Sequence, residues 1–158
     1  MAFFLNMLNI TLITIGKVKE AYWREAILEY QKRLQPYARL KIEELKAEPF
    51  SESTKEKAKK TESDNIQLYL DKKKTAEIYL LSEHGELFDS PTFAKKMESN
   101  QEIVLVIAGT QGFTKDLMTK YPKISLSPLT FPHELARVVL LEQLYRAATI
   151  ISNKDYHY

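Results

Sequence analysis

The chain has 158 residues, of which 44% are hydrophobic and 28% are charged, a composition that fits one globular domain with a sizeable core. A formal net charge of +2 permits an RNA partner without requiring one. Because the sequence contains no cysteine, disulfides, thiolate metal sites and cysteine nucleophiles are excluded, and a zinc ion would have to bind the three histidines. The lack of cysteine is typical of an intracellular protein.

The amino-terminal stretch is apolar but interrupted. Asn6 and Asn9 break the apolar run that ends at Ile15. The run is too short to span a bilayer and has neither a basic leader nor a small-residue cleavage site, so we expect no signal peptide and no membrane anchor. Met1 and Met7 are both candidate starts, and the six residues before Met7 are a candidate extension that adds little to the pattern.

Strand-like and helix-like segments alternate along the whole chain. This alternation predicts an α/β fold with a mainly parallel sheet and helices on both faces. We find no internal repeat and no linker, so residues 1–158 are predicted to form a single domain. The predicted strands are Leu8–Ile15, Leu40–Ala47, Ala76–Leu81, Ile103–Ala108 and Lys123–Ser127, and the predicted helices are Glu20–Leu34, Thr54–Leu70, Pro91–Glu98, Lys115–Thr119 and Pro132–Ile151.

Three loops follow predicted strands at their carboxyl ends, where parallel sheets bind ligands. They span Leu81–Gly85, Ala108–Gly112 and Leu126–His133, and together they hold three of the four glycines of the chain. The middle loop lacks the third glycine of a dinucleotide-binding turn and the Gly-Lys-Ser/Thr of a phosphate-binding loop. Taken alone, the loops predict a ligand site without specifying the ligand.

Two groups of lysines each have two interpretations. Lys17 and Lys19 lie in the turn after the first strand, where they either contact phosphate or are solvated. The polar stretch Ser51–Lys74 carries lysines that either grip an RNA backbone or form the exposed face of a solvated helix. The solvated interpretation is favoured in both cases.

The last helix is apolar in nearly every direction. Its polar residues fall on two arcs: His133, Glu134 and Arg137 lie together, while Glu142 and Arg146 lie roughly opposite at a spacing that allows an ion pair. A helix at the end of a small domain is rarely surrounded by its own chain, so this surface predicts self-association, most commonly as a dimer. The polar and aromatic tail beyond it is either a frayed terminus or part of a site.

Several stretches together carry a resemblance to a known family. They are Ile10–Lys19 with Tyr22–Arg24 and Tyr30–Leu34, then Ala108–Phe113, Leu126–His133, Arg137–Ala147 and Tyr156–His157. With these stretches the chain resembles the bacterial ribosomal RNA large subunit methyltransferase H family over nearly its whole length from about residue 7. The Leu-Thr-Phe-Pro-His loop, the helix after it and the Tyr-His tail form a highly specific combination, whereas the glycine turn alone does not.

The resemblance implies a small SPOUT-class enzyme with a trefoil knot toward its carboxyl end, acting as a homodimer in the cytoplasm without a metal. It implies methyl transfer from S-adenosylmethionine to ring nitrogen 3 of a pseudouridine in 23S ribosomal RNA within the assembled ribosome. The methyl donor would contact residues at three strand ends, namely Leu81, Ala108, Gly109, Gly112, Leu126, Ser127, Pro128, Leu129, Thr130 and Phe131.

One position departs from the family pattern. The family usually has two glycines where this chain has Ala108 and Gly109. If the donor contacts only the backbone there, the additional methyl group is tolerated. If donor atoms pack against the α-carbon, donor affinity is expected to fall.

The chemistry of the implied reaction assigns roles to four polar residues. The sulfonium donor is already activated, so the enzyme must align it with the nitrogen and help remove the proton of that nitrogen. His133 is a candidate base because a helix amino end disfavours the imidazolium form, and ordering the loop is an equal alternative. Tyr156 and His157 are further candidates, to be supplied by the partner subunit. Arg137 either holds phosphate or the base, or pairs with Glu134.

A rival hypothesis comes from a different functional class. A non-catalytic ribosome-binding or RNA-binding protein would keep the fold but lack the donor site, with Ala108 as the first sign of that loss. Calorimetric titration with S-adenosylmethionine separates the two hypotheses, because only the enzyme is expected to bind it.

Overall fold

The structure is a computed structural model that describes residues 7–157. The candidate extension before Met7 lies outside the described residues, as does Tyr158. Within the described residues, no helix is both long enough and apolar enough to cross a membrane. The strands are β1 (Leu8–Ile15), β2 (Ala38–Leu45), β3 (Glu77–Leu87), β4 (Ile103–Val106) and β5 (Lys123–Ser125), and the helices are α1 (Ala21–Leu34), α2 (Lys55–Leu70), α3 (Ser90–Met97), α4 (Lys115–Lys120) and α5 (His133–Ile151).

The strands of residues 7–157 form one sheet in the order β2-β1-β4-β3-β5, and every neighbouring pair is parallel. The central strand β4 is buried along its whole length, as its uniformly apolar sequence predicts. The α/β class with a parallel sheet is therefore confirmed. The trefoil knot stays a prediction.

Side chains alternate across the sheet, so each face has its own core. In β1, Leu8, Ile10 and Leu12 pack in a cluster with residues of α1, α3 and α5. Ile13 and Ile15 pack in a second cluster with residues of α2 and α4. Helices cover both faces, as predicted, and the carboxyl edge of the sheet is left to the connecting loops.

The strand β3 is longer than predicted. The sequence predicts that it ends at Leu81 and opens into a loop, but β3 continues to Leu87. Its pairing with β5 is interrupted, because Leu81 and Glu86 both oppose Ile124. Gly85 permits this close return, since a side chain there would lie 2.6 Å from the carbonyl carbon of Ile124. The predicted loop is therefore a bulge within a strand.

The helix α2 is buried along more of its length than predicted. From the sequence alone, only Ile66, Leu68, Tyr69 and Leu70 near its end are predicted to make apolar contacts, but Leu68 is 64% exposed. The buried residues Ala58, Glu62, Ile66 and Leu70 recur every four positions and so form one face of the helix. The prediction was wrong because it followed residue type, whereas helical spacing turns a glutamate into the interior.

Candidate active site

A cleft of about 840 Å³, which we call the main cleft, opens at the carboxyl ends of β3, β4 and β5. The β3 bulge, the turn after β4 and the loop between β5 and α5 line it, as predicted for a ligand site of a parallel sheet. All residues predicted to bind a methyl donor are on the lining except Pro128. The lining thus includes Leu81, Ala108, Gly109, Gly112, Leu126, Ser127, Leu129, Thr130 and Phe131.

The turn after β4 depends on its two glycines. Gly112 has a φ angle of +77°, in the left-handed region, and its N–H donates to the carbonyl of Gly109 at 3.0 Å. A side chain on Gly109 would lie 2.8 Å from Oε1 of Glu62 and 3.0 Å from Cγ2 of Ile15. Ala108, which departs from the family pattern, packs against the core on the α2 and α4 side of the sheet. Its side chain is therefore partly buried against the protein core.

Local hydrogen bonds order the loop between β5 and α5. The hydroxyl of Ser125 donates to the carbonyl of Ser127 at 2.9 Å, and the backbone N–H of Leu129 donates to the Ser127 hydroxyl at 3.0 Å. Leu129 itself remains 72% exposed at the edge of the main cleft. An apolar side chain held in the open by an ordered loop is available to a ligand.

His133 is the first residue of α5 and is half-buried. Burial lowers the pKa of its imidazole below the ordinary value of 6.5, and the positive charges of Arg137 and Lys19 act in the same direction, while Glu134 opposes them. The side chain is therefore mainly neutral at physiological pH. A neutral imidazole on the wall of the main cleft has the protonation state that a general base requires.

Arg137 is only 2% exposed and is not on the lining of the main cleft. Its Nη2 donates to the carbonyls of Ile15 at 2.7 Å and Gly16 at 2.9 Å, and its Nη1 pairs with the carboxylate of Glu44 at 3.2 Å. Arg137 therefore pairs with Glu44 and not with Glu134, the partner that the sequence allows. In this position the guanidinium fixes the end of β1, and its contact with phosphate or a base stays a prediction.

The tail folds back onto the far end of α5. The hydroxyl of Tyr156 donates to Glu142 at 3.2 Å, and Nδ1 of His157 lies 3.3 Å from Nη1 of Arg146. The predicted ion pair between Glu142 and Arg146 is confirmed at 2.6 Å. Arg146 lies thirteen positions after His133, or about 20 Å along the helix at 1.5 Å per residue. The tail of a chain is therefore held far from the His133 of the same chain.

The protonation of Tyr156 also bears on its role. Burial, together with the nearby carboxylate of Glu142, raises the pKa of Tyr156 to about 12. The phenol is protonated at neutral pH and donates a hydrogen bond. As placed here it is a poor base, so of the two tail residues His157 is the better candidate.

Sequence reasoning missed a buried carboxylate beside the main cleft. Glu62 of α2 is 5% exposed, and its Oε2 accepts from the backbone N–H of Glu48 at 2.9 Å. The next residue, Ser63, accepts from the backbone N–H of Thr114 at 3.0 Å. The signal was available, because Glu62 lies four residues after Ala58 on the buried face of the helix.

Comparison with known proteins identifies the family. A family model described as "Predicted SPOUT methyltransferase" matches residues 8–157. The chain belongs to the SPOUT methyltransferase family. It is also 38% identical over 158 residues to a curated protein of Methanococcus vannielii named "Putative ribosomal RNA large subunit methyltransferase H", with 95% of this chain and 99% of that protein covered. The resemblance to the methyltransferase H family is confirmed.

Solved structures share the fold at low sequence identity. A "probable methylase family protein" from Haemophilus influenzae Rd KW20 matches with a TM-score of 0.59 and 15% identity, over 96% of this chain and 72% of that one. A "putative RNA methyltransferase" from Bacillus anthracis matches with a TM-score of 0.50 and 14% identity, over 95% of this chain and 100% of that one. Both share the fold of this chain.

SPOUT methyltransferases draw the methyl group from S-adenosylmethionine, and the residues of the main cleft fit this donor. The volume of the main cleft, about 840 Å³, is ample for a nucleoside cofactor. Leu81 and Leu126 offer apolar surface for an adenine ring, and the glycine turn lets backbone groups approach a ligand closely. Among residues 7–157, no group of three or more His, Asp or Glu side chains is arranged to hold a metal ion.

Proposed function

We propose that this SPOUT methyltransferase transfers the methyl group of S-adenosylmethionine to ring nitrogen 3 of a pseudouridine in 23S ribosomal RNA, on the assembled ribosome in the cytoplasm. The observation that carries the proposal is the main cleft, where three strand ends bring the expected donor-binding residues together beside a neutral His133. The name of the Methanococcus vannielii relative supports ribosomal RNA as the substrate class.

In this proposal the bound donor supplies an electrophilic methyl group carried on a sulfonium. Backbone groups of the turn from Ala108 to Gly112 and of the loop from Leu126 to Phe131 hold the donor, with apolar contact from Leu81. The ordered loop matters because methyl transfer needs the carbon in line between sulfur and nitrogen. These segments therefore act mainly by positioning.

His133 is assigned the proton. A ring N–H of the target base must lose its proton as the new nitrogen–carbon bond forms, and a neutral imidazole at the wall of the cleft accepts it. Arg137 does not line the main cleft and has a positioning role. Its hydrogen bonds to the carbonyls of Ile15 and Gly16 fix the chain next to the cleft wall. Burial is the main cause of the lowered pKa of His133, and the positive charge of Arg137 adds to it.

The tail is assigned to the neighbouring subunit of a homodimer. Within one chain, the bonds of Tyr156 and His157 to Glu142 and Arg146 hold the tail about 20 Å from His133. A tail that takes part in catalysis must therefore reach the His133 of a second copy. The apolar character of α5, from which self-association is predicted, supports this arrangement.

The proposal is tested by methyl transfer from labelled S-adenosylmethionine to whole ribosomes, isolated large subunits and free RNA. We expect label in 23S RNA of whole ribosomes. The His157→Ala and tail-truncated forms should lose methyltransferase activity but still bind S-adenosylmethionine. Calorimetric titration accompanies the assay. A protein that does not bind S-adenosylmethionine is the non-catalytic binding protein of the rival hypothesis, and full activity in the truncated form contradicts a role for the tail.

A further inference from the structure

The carboxylate of Glu62 has one oxygen without a hydrogen-bond donor. Its Oε2 accepts from the backbone N–H of Glu48, whereas its Oε1 accepts no hydrogen bond from any described residue although the side chain is 5% exposed. A buried carboxylate oxygen without a donor is unfavourable, and burial accordingly raises the pKa of Glu62. Such a group is retained at a cost to stability, which points to a donor that arrives with a ligand.

Glu62 lines a second cavity of about 510 Å³ that adjoins the main cleft, and we call it the annex. The two cavities share four residues: Gly109, Thr110, Gln111 and His133. A methyl donor in one cavity and an acceptor in the other would meet at this shared wall. His133, the assigned base, stands at that boundary and so touches the space on both sides.

The annex is lined by charges of both signs, because Glu48 and Glu134 stand beside Glu62 and two lysines. Lys17 and Lys19 line it from the turn between β1 and α1, and both are exposed. Glu62 is buried whereas the two lysines are exposed, so the annex offers solvent-exposed cations and a buried hydrogen-bond acceptor. Phosphate groups suit the first, and a base with ring N–H groups suits the second.

We propose that the annex binds the target base and that Oε1 of Glu62 accepts a hydrogen bond from ring nitrogen 1 of the pseudouridine. This inference rests on the proposed function. Pseudouridine is attached to its ribose through carbon, so both of its ring nitrogens carry a proton. One N–H is then available to Glu62 while the other faces His133 and is methylated.

In uridine, nitrogen 1 bears the ribose, and a base presented with nitrogen 3 toward His133 would offer Glu62 only a C–H. Glu62 is thus a specificity-determining residue, because a site built to accept an N–H rejects a base that lacks it.

The test compares ribosomes that carry pseudouridine or uridine at the target position, prepared from cells with and without the pseudouridine synthase. Wild-type protein, Glu62→Gln and Glu62→Ala are assayed for kcat/KM on both ribosomes, and the Kd of S-adenosylmethionine is measured by calorimetry. Glu56→Gln is the matched control, since Glu56 lies on the same helix but is exposed. The near-isosteric Gln variant keeps an acceptor for the Glu48 N–H and therefore preserves the fold.

We expect wild-type protein and the control to prefer pseudouridine by about tenfold or more, and both Glu62 variants to lose most of that preference with a donor Kd within about threefold of wild type. Glu62 variants that keep the preference overturn the inference, as does a wild-type protein that methylates both ribosomes equally. Loss of donor binding in step with activity, with the preference unchanged, would show that Glu62 only positions the glycine turn. Wild-type protein that methylates neither ribosome contradicts the proposed function itself, which distinguishes that failure from the others.

Discussion

His133 is held at a helix amino end, where the helix dipole and burial both disfavour its charged form. Because a base must be neutral, activity should fall only when the pH drops through the lowered pKa of His133. We expect the acid limb of the kcat/KM profile to have its midpoint below pH 6.5, the ordinary value for histidine. Glu134→Gln removes the carboxylate that raises this pKa, so it should move the midpoint to still lower pH.

His133→Gln provides the complementary measurement. It should lower kcat by about 10²- to 10⁴-fold, the usual contribution of a general base, and leave the donor Kd nearly unchanged. It should also abolish the acid limb. A limb that persists in this variant would assign the titration to another group, and a large rise in donor Kd would favour the alternative in which His133 orders the loop.

A methyl group added at Gly109 would clash with one identified side chain, that of Glu62. A side chain there would meet Oε1 of Glu62 at 2.8 Å, and that carboxylate cannot retreat without losing its bond to Glu48. We expect Gly109→Ala to lower the free energy of unfolding by about 1 to 3 kcal/mol and to weaken the preference for pseudouridine. Urea denaturation and the ribosome assay measure the two effects.

Gly112→Ala is the control for that substitution. Gly112 has a positive φ angle but nothing within 4 Å of the position a side chain would take, so the cost is conformational, about 1 to 2 kcal/mol. The preference for pseudouridine should remain. Equal loss of preference in both variants would mean that the turn as a whole, and not its contact with Glu62, controls specificity.

The turn between β1 and α1 supplies two lysines to the annex. If Lys17 and Lys19 bind phosphate, changing both to alanine should raise the KM for ribosomes and reduce the slope of log KM against log salt concentration by about 1 per lysine. Lys72→Ala, an exposed lysine after α2, is the control for lost charge. An unchanged slope would return both lysines to the solvated interpretation.

The elements themselves were largely predictable, because their signals are local. The bounds of β1 agree with the sequence, and α5 begins within one residue of its predicted start, since apolar periodicity and the Pro132 signal are read along the chain. The extension of β3 was not predictable in this way. It depends on Gly85 approaching Ile124, a contact between positions distant in the sequence.

The candidate site also has a part that could be predicted from local sequence signals and a part that could not. The main cleft follows from the rule that parallel strands bind ligands at their carboxyl ends, and the three loops predicted to bind the donor do line one cavity at this edge of the sheet. The partners of Arg137 were not predictable, because Glu44 and Ile15 lie 93 and 122 residues away from it in the sequence. The open oxygen of Glu62 likewise appears only when α2 packs beside the turn after β4.

Because His133 and the tail of one chain lie far apart, the proposed dimer can be tested through its activity. A chain with His133→Ala keeps its tail, and a chain truncated after Asn153 keeps its His133. Each homodimer should be nearly inactive. In a mixed dimer, the tail of the first chain would complete the site around the His133 of the second, so one of the two sites would be intact.

We therefore expect co-expression of the two chains under separate affinity tags, followed by purification through both tags, to recover up to half of the wild-type kcat with unchanged KM. If the tail served the His133 of its own chain, both sites of every mixed dimer would lack one component and activity would stay at the level of the homodimers. The arrangement of bonds from Tyr156 and His157 to the far end of α5 argues against that outcome, since a tail held about 20 Å away cannot reach the wall of its own main cleft.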